Sequence, residues 1–146
     1  MNMYTAQVIY DDEGKSLVVY RDSLGYSTVG IGHKVVEADN LGAGDEISDE
    51  LCAALFVTDL KTAEEGAWKL WHNLGTRGGP SVLHVLTCMV FQMGLAGVRK
   101  FKKMLAALAI NDYAEARKEM LDSKWAREDT PERALRLVNS MRGAKA

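Results

Sequence analysis

Two carboxylates and one hydroxyl group are close in sequence near the start of the chain, at Glu13, Asp22 and Thr28. Glu13 precedes Gly14, and a glycine just past a helical pattern is a common helix stop. The negative end of a helix disfavours an ionised carboxylate, which suits a proton donor. Asp22 opens a predicted turn that ends at Gly25, where we expect it to be hydrated and ionised. Two acids in such different surroundings can divide acid and base roles.

Two predicted strands position these groups. The first, Leu17–Tyr20, is rich in β-branched and aromatic residues, and the second, Tyr26–Gly32, alternates with a period of two. One face of the second strand is predicted to turn to the core and carries Ser27, Val29 and Ile31. The other face offers a hydroxyl group flanked by bare glycines, which another chain or a sugar can approach closely; it carries Tyr26, Thr28, Gly30 and Gly32. For an isolated pair of acids, however, ordinary surface charges are the commoner explanation.

The order of these residues, followed by Gly30-Ile31-Gly32-His33, resembles the catalytic signature of the phage-type lysozymes, the endolysins of glycoside hydrolase family 24. A second resemblance is the segment MVFQMG at residues 89–94. A third is the region of Trp125 with Thr130-Pro131 and Arg133. Together these matches cover most of the chain in the order typical of that family.

This resemblance implies hydrolysis of the β-1,4 bond between N-acetylmuramic acid and N-acetylglucosamine in peptidoglycan. It assigns Glu13 as the general acid and gives Asp22 and Thr28 the management of the attacking water. No metal or cofactor is implied. The predicted substrate contacts are Gly30, Phe91 and Gln92.

The resemblance also implies a structural ion pair between His33 and Asp59 that joins the sheet to the following helix. Such a pair is expected to raise the pKa of the histidine and to lower that of the aspartate. His72 and His84 have no comparable context and are predicted to be packing or surface residues.

The predicted fold is a single α+β domain of the lysozyme type over residues 1–146. A small N-terminal antiparallel sheet, roughly 14–47, is joined by a long helix, roughly 48–72, to a C-terminal helical lobe. That lobe covers roughly 80–146 together with the N-terminal helix, and the active cleft is expected between the two lobes. Ser48, Asp112 and Thr130 are predicted helix caps. The segment 35–47 is shorter than is usual in the family.

Composition narrows the function classes. No apolar run reaches the roughly 20 residues of a membrane span, and the N-terminus does not resemble a signal peptide. Cys52 and Cys88 are predicted to be small core residues, since no Cys/His set has zinc-ligand spacing. The net charge of −2 hides an asymmetry, because residues 1–98 hold 6 Lys/Arg against 13 Asp/Glu while residues 99–146 hold 12 against 7. The basic part suits anionic cell-wall polymers or is a solvated surface, and no nucleic acid is expected.

The expected partner is peptidoglycan, and the protein is expected to be a monomer. It is expected to stay in the host cytoplasm until release and then to act on the cell wall in the periplasm. That release is expected to depend on a membrane-permeabilising protein of the same phage, without stable membrane insertion of this chain. Three alternatives stay open: a lytic transglycosylase on the same fold, a non-catalytic cell-wall-binding module, and a helical interaction protein. Asp22 and Thr28 argue against the transglycosylase, and Glu13 argues against the binding module. The paired acids and the glycine-lined strand argue against the interaction protein.

Overall fold

A computed structural model describes residues 2–75 and 78–143 of the chain. Residues 144–146, at the end of the predicted helical lobe, lie outside the described residues. The structure is mixed, with a small three-stranded antiparallel sheet near the N-terminus followed by mostly helical chain. The main elements are α1 (Met3–Glu13), β1 (Ser16–Arg21), β2 (Ser27–Gly30), β3 (His33–Lys34), α2 (Asp49–Asn73), α3 (Gly79–Arg99), α4 (Lys102–Ala109), α5 (Tyr113–Leu121) and α6 (Pro131–Ser140).

The sheet is a meander in which β2 lies between β1 and β3. The turn between β1 and β2 is the predicted one, because the Gly25 N–H donates to the carbonyl oxygen of Asp22 at 2.9 Å. The second strand is shorter than predicted and ends at Gly30 instead of Gly32. Gly30 and Gly32 both have positive φ angles, +67° and +68°, which let the chain turn directly into β3.

The described chain divides into two compact units, one ending at Thr62 and one beginning at Ala63. The division falls within α2, the predicted long helix, and Ser48 caps that helix by accepting from the Leu51 N–H at 3.0 Å. The first unit contains α1, which the family resemblance grouped with the helical lobe. Its core lies between the sheet and the start of α2 and contains Val19, Val29, Ile31, Ile47 and Cys52.

The second unit contains α3, which is apolar nearly all round, as predicted, and has nine buried residues. By length and composition α3 could also cross a membrane, with a mean hydropathy of 1.7, contrary to the expectation that no apolar run is long enough. Central helices of globular cores meet the same criterion. The helix is also interrupted at Gly94 (φ 79°, ψ 162°), so its regular part covers roughly 15 residues, fewer than the roughly 20 of a typical span.

Of the two helix caps predicted near the C-terminus, the structure confirms one and contradicts the other. Asp112 caps α5 as predicted, since its Oδ1 accepts from the Glu115 N–H at 3.0 Å. Pro131 begins α6 as predicted, but the prediction that Thr130 caps this helix is wrong, because the Thr130 hydroxyl makes no capping hydrogen bond. That hydroxyl instead accepts from the Gln92 side-chain amide at 2.9 Å. The preceding five-residue π-helix, Trp125–Asp129, was not predicted.

Candidate active site

Glu13 is the last residue of α1, as predicted. The helix ends because Gly14 takes a positive φ of 68° while its N–H still donates to the Tyr10 carbonyl oxygen at 2.9 Å. The Glu13 side chain then lies directly over Gly32. A Cβ atom at position 32 would stand only 2.6 Å from Glu13 Oε2 and 2.7 Å from its Cγ and Cδ atoms. The carboxyl group of Glu13 therefore occupies space that only a glycine leaves open.

Asp22 is held by the turn that it opens. Its Oδ1 atom accepts from two backbone N–H groups, those of Leu24 at 3.0 Å and Tyr26 at 2.8 Å. Among the residues that the structure describes, Oδ2 has no hydrogen-bond partner. One oxygen of this carboxylate is thus fixed by the fold, and the other is available to a water molecule or a ligand.

Thr28 is less open than predicted, because only 3% of its surface is exposed. Its hydroxyl donates to the carbonyl oxygen of Tyr26 at 2.9 Å. A threonine hydroxyl has one donor and two acceptor positions, so Thr28 Oγ1 can still accept a hydrogen bond. The hydroxyl therefore serves as an acceptor towards any further group.

The two glycines of the second strand have different surroundings. Gly30 is buried, and a Cβ atom there would lie 3.4 Å from Cys52 Sγ and 3.8 Å from Ile47 Cδ1. Its neighbours therefore belong to the core of the first unit, whereas Gly32 faces the acid. The geometry favours Gly32 over Gly30 as the glycine that serves the site. The only indication of this in the sequence is a bare glycine on the same predicted face.

Tyr20 connects the three predicted catalytic residues, although the sequence did not single it out. It is the direct cross-strand partner of Thr28. Partial burial, followed by the negative charges of Glu13 and Asp22, raises the pKa of the Tyr20 phenol. Both carboxylates therefore lie within electrostatic reach of a side chain beside Thr28, and the structure brings the predicted acid, base and hydroxyl into one neighbourhood.

His33 makes the predicted contact with Asp59 and a second one that was not predicted. Its Nδ1 lies 2.7 Å from Asp59 Oδ2, and its Nε2 lies 2.8 Å from Asp39 Oδ2. The same Asp39 oxygen accepts from the Val36 N–H at 2.8 Å. Because both ring nitrogens face carboxylates, the contacts fit a protonated imidazolium, which donates from both. The cluster ties the segment after β3 to α2, both in the first unit.

The pKa values of this cluster shift in different directions. Burial lowers the pKa of His33, but hydrogen bonds to Asp39 and Asp59 outweigh it, and the net pKa is raised. Burial acts to raise the pKa of Asp39, yet its hydrogen bonds with Val36 and His33 make the net shift downward. For Asp59 the predicted lowering is wrong, because burial raises its pKa more than His33 lowers it.

Phe91 and Gln92 lie in the second unit, on α3. The Gln92 side-chain amide is fixed at both ends: Oε1 accepts from Trp125 Nε1 at 3.0 Å, and Nε2 donates to Thr130 Oγ1 at 2.9 Å. Trp125 in turn packs edge-on against Phe101, with ring centroids 5.9 Å apart. Gln92 is therefore an oriented polar group, held by the region that carried the third sequence resemblance.

The remaining histidines and cysteines have packing roles, as predicted. His72 stacks on Trp68, with centroids 3.5 Å apart, and His84 is buried with its Nε2 3.9 Å from Cys88 Sγ. Cys52 and Cys88 are both buried, and neither forms a disulfide. Within the described parts of the chain, no three His, Cys, Asp or Glu residues are arranged to hold a metal ion.

The His33 cluster makes stability depend on pH. Because the folded pKa of His33 is raised above 6.5, its stabilising contribution is complete below that value and is lost as the pH rises through the folded pKa. We expect His33→Ala to lower the free energy of unfolding by about 1.5–3 kcal/mol at mildly acidic pH, and by clearly less in alkaline solution. Chemical denaturation at about pH 5.5 and about pH 9 measures the difference.

Asp45→Asn is the matched control, since Asp45 lies in the same segment and accepts from the Gly42 N–H without contacting His33. This variant should leave the pH dependence of stability unchanged, whereas Asp39→Asn should reduce it. Equal losses for His33→Ala at both pH values would show that the two carboxylates do not stabilise a charged imidazole.

The sequence is similar to a known protein family and to several known proteins. The sequence model of the phage lysozyme family matches residues 11–140. The chain is 30% identical to two probable T4-type lysozymes of Dictyostelium discoideum, over 88% of this chain and 87% of each relative. It is also 32% identical, over 85% of its length, to the pre-baseplate central spike protein of Enterobacteria phage T4, of which the match covers only 25%.

The family match extends over most of the chain and includes both acids, Thr28, the His33 cluster and the region of Gln92 and Trp125. The similarity to the two lysozymes is nearly full-length on both sides. The chain therefore belongs to the phage lysozyme family of glycoside hydrolases.

Proposed function

We propose that the protein hydrolyses the β-1,4 bond between N-acetylmuramic acid and N-acetylglucosamine in bacterial peptidoglycan. Glu13 is the general acid, and Asp22 acts with Thr28 on the attacking water. One observation carries the assignment of these residues: the fold holds all three on one part of the sheet, with Glu13 over Gly32 just past β2, Asp22 in the turn between β1 and β2, and Thr28 on β2. The roles follow from the different ways in which the fold holds each group.

Glu13 is the proposed proton donor. It is the last residue of α1, and Gly14 ends the helix directly after it. In the proposed reaction the Glu13 proton passes to the glycosidic oxygen as the bond from that oxygen to the anomeric carbon breaks. Because the side chain rests on Gly32, it reaches the substrate from a fixed position.

Asp22 and Thr28 are suited to orient water. The water donates one hydrogen bond to Asp22 Oδ2 and the other to Thr28 Oγ1. The Thr28 hydroxyl acts as an acceptor here because it donates its own hydrogen bond to the Tyr26 carbonyl oxygen. With both of its protons engaged, the water turns a lone pair to the anomeric carbon. The new carbon–oxygen bond forms as the bond to the leaving sugar breaks, and Asp22 takes the proton that the water loses. Solvent then returns the proton from Asp22 to Glu13.

The product of this sequence is a reducing-end sugar whose anomeric configuration is inverted. A lytic transglycosylase forms an anhydro sugar by attack of the sugar's own hydroxyl group, and it needs no residues that manage water. The free Asp22 oxygen and the acceptor position of Thr28 therefore favour hydrolysis. They equally disfavour a non-catalytic wall-binding module, which has no use for an oriented acid and base.

Phe91 and Gln92 are proposed saccharide contacts on the second unit. The support for Gln92 is its orientation, because an amide fixed by Trp125 and Thr130 loses little side-chain entropy when it binds a sugar. Phe91, its neighbour on α3, offers an aromatic ring of the kind that lines carbohydrate sites.

We further propose that the protein acts in host lysis, as a monomer that reaches the periplasmic cell wall through a membrane-permeabilising protein of the phage. The lysozyme relatives, matched over nearly their whole length, support a free enzyme. The similarity to a central spike protein of a phage supports a second role, as the wall-degrading part of a particle. The chemistry at Glu13 and Asp22 is the same in both cases.

Glu13→Gln should abolish clearing of purified peptidoglycan while the protein stays folded. Loss of a general acid costs about 100- to 10,000-fold in rate, and a neutral glutamine suits the end of α1 at least as well as a carboxylate. Turbidity clearing measures activity, and thermal melting measures folding. Asp11→Asn is the control in the same helical turn, and it should keep full activity. A Glu13→Gln rate within about tenfold of wild type, or ~1.4 kcal/mol of barrier, would remove Glu13 as the acid.

The products distinguish the proposed reaction from its alternatives. Mass spectrometry of digested peptidoglycan should show fully hydrated muropeptides, whereas products one water lighter would identify a transglycosylase. Proton NMR of the fresh product should show the inverted α-anomer first, because the water needs room between acids roughly 6.5–9.5 Å apart. An initial β-anomer would mean direct attack by Asp22 or by a substrate group, for which acids stand about 5–5.5 Å apart.

The residues that manage water are tested by the same assay. Asp22→Asn and Thr28→Val should both lose most activity, the first because it cannot take the proton and the second because it cannot accept a hydrogen bond. Thr28→Ser keeps the hydroxyl group and should retain more activity than Thr28→Val. Equal activity of these two Thr28 variants would contradict the role given to the hydroxyl.

A further inference from the structure

Tyr20 is a polar side chain of the candidate active site to which no role has been given. It lies on β1 and pairs directly with Thr28 on β2. Side chains of directly opposed residues in an antiparallel pair stand on the same face, with Cβ atoms about 4.5–5.5 Å apart. The Tyr20 ring is therefore an immediate neighbour of the Thr28 side chain and of the water position proposed there.

The phenol group of Tyr20 is available to a ligand. The side chain is 39% exposed, and its hydroxyl makes no hydrogen bond to any residue that the structure describes. Burial and the charges of Glu13 and Asp22 raise its pKa, which favours the protonated form that donates a hydrogen bond. An exposed, unpaired donor opposite Thr28 is suited to bind an oxygen atom of the substrate.

The proposed reaction limits which substrate oxygen can accept a hydrogen bond from Tyr20. The attacking water donates hydrogen bonds to Asp22 and Thr28, and a further donor to its oxygen would weaken it as a nucleophile. The glycosidic oxygen receives the Glu13 proton. On the reacting N-acetylmuramic acid, O3 carries the lactyl ether and the ring oxygen gains positive charge in the transition state. The acetamido carbonyl, the lactyl carbonyl, O4 and the hydroxymethyl group remain as acceptors.

The acetamido group is the best candidate of these. It is attached to C2, the carbon bonded to the reacting C1, whereas the other acceptors are attached at C3, C4 and C5. An amide carbonyl is also a pure acceptor and so matches a phenol donor. Resting on the proposed function, we propose that the Tyr20 hydroxyl donates a hydrogen bond to the acetamido carbonyl of the reacting sugar and so positions that sugar between Glu13 and Asp22.

Tyr20→Phe tests this inference, because it removes only the hydroxyl oxygen from a partly exposed ring. The variant should melt like the wild type and lose roughly tenfold in kcat/KM on N-acetylated glycan strands released from peptidoglycan, as expected for one lost hydrogen bond. On the same strands after chemical N-deacetylation, wild type and variant should have equal kcat/KM values, since the acceptor is gone. A purely structural role of Tyr20 would give the same loss on both substrates.

Tyr10→Phe is the matched control, because Tyr10 is equally exposed, at 39%, and its ring packs edge-on against Phe56. It should behave like the wild type on both substrates. An unchanged kcat/KM for Tyr20→Phe on acetylated strands, or an equal loss on both kinds of strand, would overturn the role of Tyr20 and leave the proposed hydrolysis intact. Wild-type protein that cleaves neither substrate would instead overturn both proposals.

Discussion

The contact between the Glu13 side chain and the bare backbone of Gly32 determines how the rest of the candidate active site is built. It brings the end of α1 against the turn between β2 and β3, at a distance that no Cβ atom allows. The neighbouring elements follow from this approach. Gly14 must stop the helix at Glu13, and Gly32 must adopt a positive φ that carries the chain into β3. The next residue, His33, then holds that turn to Asp39 and Asp59.

Polar groups around the site serve the fold and the proposed chemistry at once. Asp22 uses one oxygen to close its turn and leaves the other free. Thr28 uses its proton on the Tyr26 carbonyl and keeps acceptor positions. In each of these side chains, part of the hydrogen-bonding capacity is used inside the protein, and this fixes the orientation of the group. Little reorganisation is therefore needed when the substrate binds. Gln92 in the second unit is oriented differently, because its amide oxygen and its amide nitrogen are both hydrogen-bonded, to Trp125 and to Thr130.

Local features of the site could be predicted from the sequence because they depend on neighbouring residues. Gly14 specified the end of α1, Asp22 and Gly25 specified the turn, and Ser48 specified the start of α2. The His33–Asp59 contact, between residues distant in sequence, came from the family resemblance rather than from periodicity.

Features that depend on packing were missed or mistaken. A two-residue period does not reveal that Thr28 is covered, that Gly30 packs on Cys52 while Gly32 faces Glu13, or that Asp39 joins His33. The raised pKa of Asp59 reflects burial, which its position in the sequence does not show. The Thr130 hydroxyl matched the pattern of a helix cap, but the Gln92 amide, distant in sequence, uses it instead.

We propose that the missing side chain of Gly32 makes room for the carboxyl group of Glu13, the proposed general acid. The most direct test compares kcat/KM of Gly32→Ala with that of Gly44→Ala. Both glycines have a positive φ, +68° and +83°, so alanine strains the backbone at either position. A Cβ atom at Gly44 meets nothing within 4 Å, whereas at Gly32 it displaces the Glu13 carboxyl group. We predict a loss of about 100-fold for Gly32→Ala and near wild-type activity for Gly44→Ala, with similar losses of stability. Equal activities of the two variants would contradict the account.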